Sequence, residues 1–277
     1  MTAQYAHTII AAGVSDPQLL AQWRRDPAAL SRLGVDPNAL NIEALWKFAG
    51  LITKIRHNSL RSDLPLTFLA LNCTGLEIEI FANYSLRHTA LKAAKPNSNE
   101  EKSNSLVKFL ECWLNLTIPD HALIWDIIRH EHALSQTYHL VPDTQQKQFN
   151  IGESCEVEAY AIPVIQGSLL TYRMSFDLKT LVERFQRRPV DLSGLEPGEF
   201  FTGYWWSGEG SQINLLDLDA LGFYMLSMID GTNSIKSIAE RLDGDEKFIQ
   251  PQDLFAPLQE LMDLGLLYLR LPVSDHR

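Results

Sequence analysis

The segment INLLDLDALGFYMLSMIDGTNSIKSIAERL, residues 213–242, carries the clearest run of secondary-structure signals in the chain. A short alternating strand at 213–218 is followed by Asp219, which we expect to cap a first helix. Asp230-Gly231-Thr232 interrupts the apolar pattern and predicts a turn, and Ser234 is expected to cap a second helix. The second helix has apolar residues at helical spacing: Ile235, Ile238, Ala239 and Leu242.

A predicted hairpin overlaps the start of this segment, and a third helix follows it. Residues 200–206 and 212–218 are strand-like and flank a glycine-rich turn at 207–211, which favours a β-hairpin. Pro257 lies inside the third helical pattern, so this helix must either kink there or begin late, and Gly265 is expected to end it. A hairpin followed by three short helices is a winged-helix-like arrangement.

The predicted domain organisation has three parts. Residues 1–140 carry helical patterns and form an N-terminal helical domain. Residues 141–154 are polar and aperiodic, as expected of a linker. Residues 155–277 form a strand-rich domain, in which the hairpin and three helices cover about 199–272. The sequence therefore predicts an α+β protein, with a helical domain followed by a winged-helix-like domain that has a small antiparallel sheet and three helices.

The helical domain contains several patterns of its own. Asp16 followed by Pro17 is typical of a helix start. A long amphipathic helix is predicted over 38–60, and patterns at 106–116 and 122–138 predict two more. The long helix has apolar residues at spacings of three and four: Leu45, Phe48, Ala49, Ile52 and Ile55.

The first part of the strand-rich domain also carries strand signals. Residues 156–165 and 168–176 are strand-like and flank Gln166-Gly167. Because a short glycine-containing turn between two strands favours a hairpin, we expect these two strands to pair with each other. A short helix is predicted over 178–186.

The composition is that of a folded globular protein, with 45% hydrophobic and 21% charged residues. The formal net charge is −10. Most of it lies near the C-terminus, because residues 199–272 contain twelve acidic and four basic residues, a net charge of −8. Such a surface repels the phosphate backbone of nucleic acids, so we expect no nucleic-acid partner.

Features that bear on location favour the cytoplasm and predict no membrane association. The longest apolar runs, such as 64–71, are far shorter than the roughly 20 residues that a bilayer requires. Residues 1–7 have no basic region before an apolar stretch, so they do not resemble a secretory signal. Cys73, Cys112 and Cys155 are far apart and include no Cys-x-x-Cys pair, which makes a disulfide framework or zinc knuckle unexpected.

His130-Glu131-His132 is the most metal-like cluster in the sequence. On a helix, the side chains at i and i+2 point about 200° apart, so both histidines cannot reach one ion. A metal-binding helix places its histidines at i and i+4. The sequence also lacks a legible phosphate-binding glycine motif, nucleophile elbow or nucleophile–histidine set. We therefore predict no catalytic residue, no metal ligand and no cofactor in this chain.

Tyr204, Trp205 and Trp206 place three aromatic side chains on one predicted strand. Alternation points Trp205 away from the face shared by the other two. One face must pack on the helices, and the other requires a cover from the N-terminal domain or from a partner. We assign the three residues to a candidate partner interface, with packing inside the core as the alternative.

The C-terminal motifs resemble the PqqD-like peptide-recognition element, a module of pathways for ribosomally made, modified peptides. The strand Leu216–Asp219 leads into the Asp230-Gly231-Thr232 turn and the capped Ser234-Ile-x-x-Ile-Ala239 helix. A terminal Gly265-Leu-Leu completes the set. In this element the bound peptide adds as a strand to a sheet edge and packs against the third helix. By position, the resemblance implies a groove formed by strand and helix residues: Ile213, Leu215, Asp217, Leu254, Phe255, Leu258 and Met262.

The rest of the chain is similar to the partner proteins of the multinuclear non-haem iron-dependent oxidases. The similar residues in the helical part are Phe109-Leu110, Pro119 and the segment DIIRHEHAL at 126–134. Residues 172–185 resemble the strand and helix with which the second domain of those partners begins.

This resemblance implies a heterodimer in which a separate oxidase carries the iron. The present chain would be a non-catalytic partner subunit that binds a precursor or carrier peptide and presents its cysteine to the oxidase. In 3-thiaglutamate biosynthesis, that chemistry is excision of the β-carbon of a C-terminal cysteine.

Two alternatives from other classes remain open. A winged-helix transcription regulator needs Lys and Arg on its recognition helix, whereas the second and third C-terminal helices carry mostly Asp and Glu. A stand-alone metalloenzyme would have to combine His130 and His132 with carboxylates that are far apart in the sequence.

Overall fold

A computed structural model gives the structure of most of the chain. The described residues are 3–90, 98–139, 157–207, 212–242 and 249–271. The chain divides into two compact units, each made of two segments. The first unit comprises Met1–His132 and Val182–Asp191, and the second comprises Ala133–Leu181 and Leu192–Arg277. The division therefore falls at residues 132/133, 181/182 and 191/192 rather than near residue 140.

Helices make up the first part of the chain, as the sequence predicts. They are α1 (Ala3–Ser15), α2 (Pro17–Arg25), α3 (Ala28–Ser31), α4 (Ile42–Arg56), α5 (Pro65–Cys73), α6 (Glu77–Ala90), α7 (Asn99–Trp113) and α8 (Pro119–His139). Asp16 caps α2, because its carboxylate accepts hydrogen bonds from the backbone N–H groups of Gln18 (2.9 Å) and Leu19 (3.2 Å). The predicted start of this helix is thus confirmed. The predicted linker at 141–154 lies outside the described residues.

Helix α4 is shorter than the predicted 38–60 and turns a different face to the core. It begins where the Asn41 side chain accepts a hydrogen bond from the N–H of Ala44 at 2.9 Å, and it ends at Arg56. Two residues of the predicted apolar pattern, Phe48 and Ile55, are exposed. Both faces of this helix carry apolar side chains, so periodicity alone does not identify the buried one. The buried residues are Trp46, Ala49, Gly50 and Thr53.

The second part of the chain adds strands and further helices, which confirms the α+β class. The elements are β1 (Ile162–Ile165), β2 (Ser168–Met174), α9 (Leu178–Gln186), β3 (Phe200–Trp206), β4 (Asn214–Leu218), α10 (Ala220–Met228), α11 (Ile235–Leu242), α12 (Phe255–Asp263) and β5 (Leu267–Arg270). The strands form two small antiparallel sheets, with the orders β1-β5 and β2-β3-β4. The helix predicted at 178–186 is confirmed as α9.

The predicted pairing of β1 with β2 is wrong. β1 pairs with β5, with Ile165 opposite Leu267, whereas β2 pairs with β3. The junction between β1 and β2 is Gly167, which has φ +77°. A side-chain Cβ at this position would lie 1.9 Å from the carbonyl oxygen of Trp206, so only glycine fits. The glycine that suggested a hairpin turn instead lets the chain pass from one sheet to the other.

The β3–β4 hairpin and the caps of the following helices are confirmed. Asp219 caps α10 by accepting a hydrogen bond from the N–H of Gly222 at 2.6 Å. Ser234 caps α11 by accepting one from the N–H of Ser237 at 3.2 Å. α12 begins late, directly after a 3₁₀ turn, so Pro257 falls in its first turn, where no helical N–H bond is required.

The core of the second unit is formed by the three C-terminal helices, one face of the β2-β3-β4 sheet and residues of the β1-β5 sheet. It includes Trp205 from β3, Met225 and Leu226 from α10, and Ile238 from α11. No single helix in the described part of the chain is long and apolar enough to cross a membrane. The pair α5 and Glu77–Arg87 passes the same test of length and composition only when joined, and it is bent by 114°.

Candidate functional site

β4 is an outer strand of the three-stranded sheet. It forms an antiparallel ladder with β3, and among the described residues no strand pairs with its other side. The backbone N–H and C=O groups on that side are positioned for pairing with an added strand. The predicted location of a peptide-binding strand is therefore at a sheet edge.

The register of β4 decides which of its side chains face the helices. Leu216 is opposite Gly203 and packs against the core of α10–α12, whereas Leu215 is opposite Tyr204 on the other face. By alternation, Ile213 and Asp217 share the face of Leu215, and Asp217 is exposed there. The predicted strand residues therefore point away from the helical core.

The predicted helix residues lie on the opposite side of the sheet, in two layers. Leu254 and Leu258 are completely buried in the core of the second unit, so they present no surface to a ligand. Phe255 and Met262 are partly buried and pack against the margin of that core. The seven predicted residues thus do not line one common groove. Sequence spacing assigned the two sets to a strand and a helix of this unit but could not determine which face of the strand the helices cover.

The three aromatic residues of β3 differ in exposure. Tyr204 is completely buried and makes an edge-to-face contact with Tyr172, with ring centroids 5.9 Å apart. Trp205 lies in the core of the second unit and donates a hydrogen bond of 2.7 Å from Nε1 to the carbonyl oxygen of Gln166. Only Trp206, among these three, retains a partly exposed side chain. Packing inside the protein, the stated alternative, therefore accounts for Tyr204 and Trp205.

Sequence reasoning missed a cavity in the second unit. A half-open cavity of about 370 Å³ lies between α10 and the end of α11. Its lining is mostly apolar, with the Arg241 side chain as the one charged group among the lining residues. Tyr224, one turn after the capped start of α10, lines the cavity and is 44% exposed, which its place in an apolar helical pattern does not reveal. The lining residues are Ala220, Leu221, Tyr224, Met228, Arg241, Leu242 and Ile249.

The Asp-Gly-Thr motif holds the turn between α10 and α11. One carboxylate oxygen of Asp230 accepts hydrogen bonds from the N–H of Asn233 (2.9 Å) and from the N–H and hydroxyl of Thr232 (both 2.8 Å). These bonds, led by the one from the Asn233 backbone, lower the pKa of Asp230 to about 2. The motif therefore has a structural role, because it fixes the angle at which the two helices meet.

His130 and His132 on α8 lie in buried or hydrogen-bonded surroundings. His130 is buried, and burial lowers its pKa to about 4, so the ring is neutral at physiological pH. His132 forms a hydrogen bond of 2.6 Å between Nε2 and Oδ1 of Asn104, and burial also lowers its pKa. Within the described ranges, no group of three His, Cys, Asp or Glu side chains could hold a metal ion.

Glu131, between the two histidines, caps a neighbouring helix. Its carboxylate accepts hydrogen bonds from the N–H groups of Leu66 (2.7 Å) and Thr67 (2.8 Å) at the start of α5. Burial raises the pKa of Glu131, and these hydrogen bonds oppose that rise. The polar cluster on α8 thus joins helices within the first unit.

Comparison with known proteins identifies no family for this chain: no family model matches it, and no curated protein matches it. Its function must therefore be inferred from the surfaces and side chains described above.

Proposed function

We propose that this chain is a non-catalytic subunit that binds a ribosomally made precursor or carrier peptide and presents its cysteine to a separate iron-dependent oxidase. The observation that carries this proposal is the open edge of β4, next to a helical core that already covers one face of the sheet. A peptide added there as a fourth strand would gain main-chain hydrogen bonds and reach both faces of the sheet.

The side chains around the edge suit an apolar peptide with basic residues. Leu215 is 52% exposed on one face of the sheet, and Leu216 and Leu218 are partly buried against the helical core on the other face. Alternate residues of a bound strand would pack beside these two sets of side chains. Asp217 and the net charge of −8 over residues 199–272 favour positive charge in the peptide, chiefly through a faster association.

The PqqD-like and winged-helix-like identity of this part of the chain belongs to the proposal. It is supported by the capped helices α10 and α11, by the Asp230 turn that joins them, and by the hairpin that precedes them. The heterodimer, the iron in the partner enzyme and the excision of a cysteine β-carbon are proposed on the resemblance alone. Of the predicted partner interface, Trp206 is partly exposed, and we propose that it contributes to the contact with the oxidase.

A binding experiment with a matched control tests the proposal. The probe is a short fluorescein-labelled synthetic peptide in which apolar and basic residues alternate, with a cysteine at its C-terminus. We expect micromolar binding by fluorescence anisotropy, and a 10- to 100-fold loss with Leu215→Asp, which corresponds to about 1–3 kcal/mol. Leu264→Asp is the control, because Leu264 is 60% exposed in the same unit but lies at the end of α12.

Results that contradict the proposal can be distinguished from unfolding of a variant. Circular dichroism first establishes that both variants are folded. If the peptide does not bind, or if a folded Leu215→Asp protein binds it as the wild type does, the β4 edge is not the binding site. Hydrogen exchange gives a second readout, since an added strand should slow the exchange of amides in β4.

A further inference from the structure

Helix α4 of the first unit presents apolar side chains to solvent. Phe48, Leu51 and Ile55 are 50%, 39% and 64% exposed and follow one another at spacings of three and four, so they lie on one face of the helix. We call these three residues the α4 stripe. The opposite face of α4 is already buried in the core, so the stripe is not needed for the packing of the unit. A contiguous apolar strip on an otherwise charged surface is typical of an interaction site.

The charges beside the α4 stripe are positive. Lys47 lies one turn before Leu51, Arg56 follows Ile55, and both are exposed. Neither has an ion-pair partner among the described residues. This positive rim contrasts with the net charge of −10 of the whole chain.

Two nearby acidic side chains, one at the start of α4 and one on the neighbouring α6, already pair with other cations. Glu43, at the start of α4, pairs with Arg24 at 2.7 Å. Glu77, on α6, pairs with Lys54 and, at 3.2 Å, with Arg61. The two cations beside the stripe therefore remain available to an external negative charge.

We propose that the α4 stripe is the docking site for an amphipathic helix of another protein, with apolar residues at helical spacing and Asp or Glu on its flanks. Apolar residues at intervals of three and four are the pattern with which two helices pack, and acidic flanks would complement Lys47 and Arg56. This site lies in the first unit and is independent of the peptide-binding function proposed for β4.

The same charges argue against two other occupants. In an antiparallel pair of two α4 helices centred on Leu51, Lys47 of one copy would lie next to Ile55 and Arg56 of the other, which places like charges together. A membrane-surface helix carries many Lys and Arg residues on its polar face, whereas the stripe is flanked by two.

The size of the stripe sets the expected strength of binding. The stripe spans eight residues, about 12 Å along the helix, and a strip roughly 10 Å wide over that length covers on the order of 120 Å². A standard stable interface covers about 800 Å² on each partner. The partner helix should therefore bind weakly and reversibly unless it also contacts residues outside the stripe.

A peptide-display selection on the full-length protein tests the proposal. A library of helical peptides with randomised surface positions is selected for binding to the wild-type chain, and the enriched peptides are then measured by fluorescence anisotropy. We expect them to combine an apolar stripe with acidic flanks, and to lose affinity at least tenfold with Leu51→Glu or with Ile55→Glu. Leu33→Glu, a matched change at an exposed leucine of the same unit outside α4, should leave affinity unchanged.

Two more variants separate this site from the others. Exchange of Lys47 and Arg56 for Glu should weaken the acidic peptides at least tenfold at low salt, whereas Leu215→Asp at the β4 edge should not affect them. The proposal is overturned if no helical peptide is enriched or if the enriched peptides are basic. It is equally overturned if the enriched peptides bind Leu51→Glu and Ile55→Glu with the affinity that they have for the wild type. It is also overturned if Ile55→Glu instead abolishes a dimer seen by sedimentation, or abolishes binding to vesicles of phosphatidylglycerol and phosphatidylcholine.

Discussion

The carboxylate of Glu131 on α8 accepts a hydrogen bond of 2.8 Å from the backbone N–H of Thr67, in the first turn of α5. Its other oxygen accepts one from the N–H of Leu66 at 2.7 Å. The first N–H groups of α5 have no acceptor from the N-cap residue, because this residue is Leu64 and its side chain cannot accept a hydrogen bond. A residue 64 positions away in the sequence therefore supplies the cap.

We expect Glu131→Ala to lower the free energy of unfolding by about 1–3 kcal/mol, since it leaves the buried N–H of Thr67 and the partly buried N–H of Leu66 without an acceptor. Glu131→Gln should cost less, because its amide oxygen can still accept one of the two bonds. Urea denaturation followed by circular dichroism measures both changes. An alanine variant as stable as the wild type would contradict the capping role.

The stability of the protein should fall in mild acid because of His130. The pKa of this buried ring is about 4 in the folded protein and about 6.5 in an unfolded chain, so below pH 6.5 the unfolded state binds the additional proton. The free energy of unfolding should therefore decrease between pH 6.5 and pH 4, by about 3 kcal/mol in total. Urea denaturation at pH 7, 5.5 and 4 tests this, and His130→Gln should remove that part of the decrease. A variant with the same pH dependence as the wild type would refute it.

Gly50→Ala should destabilise the first unit, although alanine favours helices by up to about 1 kcal/mol relative to glycine. A Cβ at this position would lie 2.3 Å from the carbonyl oxygen of Ile78 on α6, and a backbone atom cannot move aside as a side chain can. We expect a net loss of about 1–3 kcal/mol in the free energy of unfolding. Thermal unfolding measures it, and an increase in the melting temperature would show that α4 and α6 are not this close.

The chain should not bind duplex DNA tightly. Residues 199–272 contain twelve acidic and four basic residues, and Glu260 and Asp263 on α12 are exposed. A phosphate backbone would be repelled by this surface at low salt, where electrostatic effects are strongest. A gel shift with mixed-sequence duplex DNA at low salt checks this, and a micromolar complex would revive the transcription-regulator alternative.

The purified chain should contain no stoichiometric iron or zinc. His130 is buried, and His132 is hydrogen-bonded to Asn104, so the two rings do not converge on one ion. Elemental analysis after purification without chelators is the measurement. One or more tightly held ions per chain would instead favour a stand-alone metalloenzyme.

Local signals in the sequence predicted local structure well. The caps formed by Asp16, Asp219 and Ser234 involve residues two or three positions away, so their chemistry is legible within one helical turn. The late start of α12 follows in the same way from Pro257, one of the two outcomes that its position allowed.

Relationships between distant residues could not be predicted. The partner of β1 is β5, about 100 residues later, and nothing in the Gln166-Gly167 turn distinguishes that pairing from a hairpin. The capping of α5 by Glu131 depends on a tertiary contact. Alternate residues of β4 form two sets, and the sequence does not show which set is buried. The register with β3 determines which set faces the helical core.

The interleaving of the two units has a consequence for how the protein can be cut. The chain leaves the first unit at residue 133, returns to it for Val182–Asp191, and leaves again. A fragment that ends at residue 140 would therefore lack a piece of its own unit, and the remaining fragment would carry that piece without its surroundings. Neither half should fold alone, but the two should complement each other when mixed, as the halves of a split reporter do.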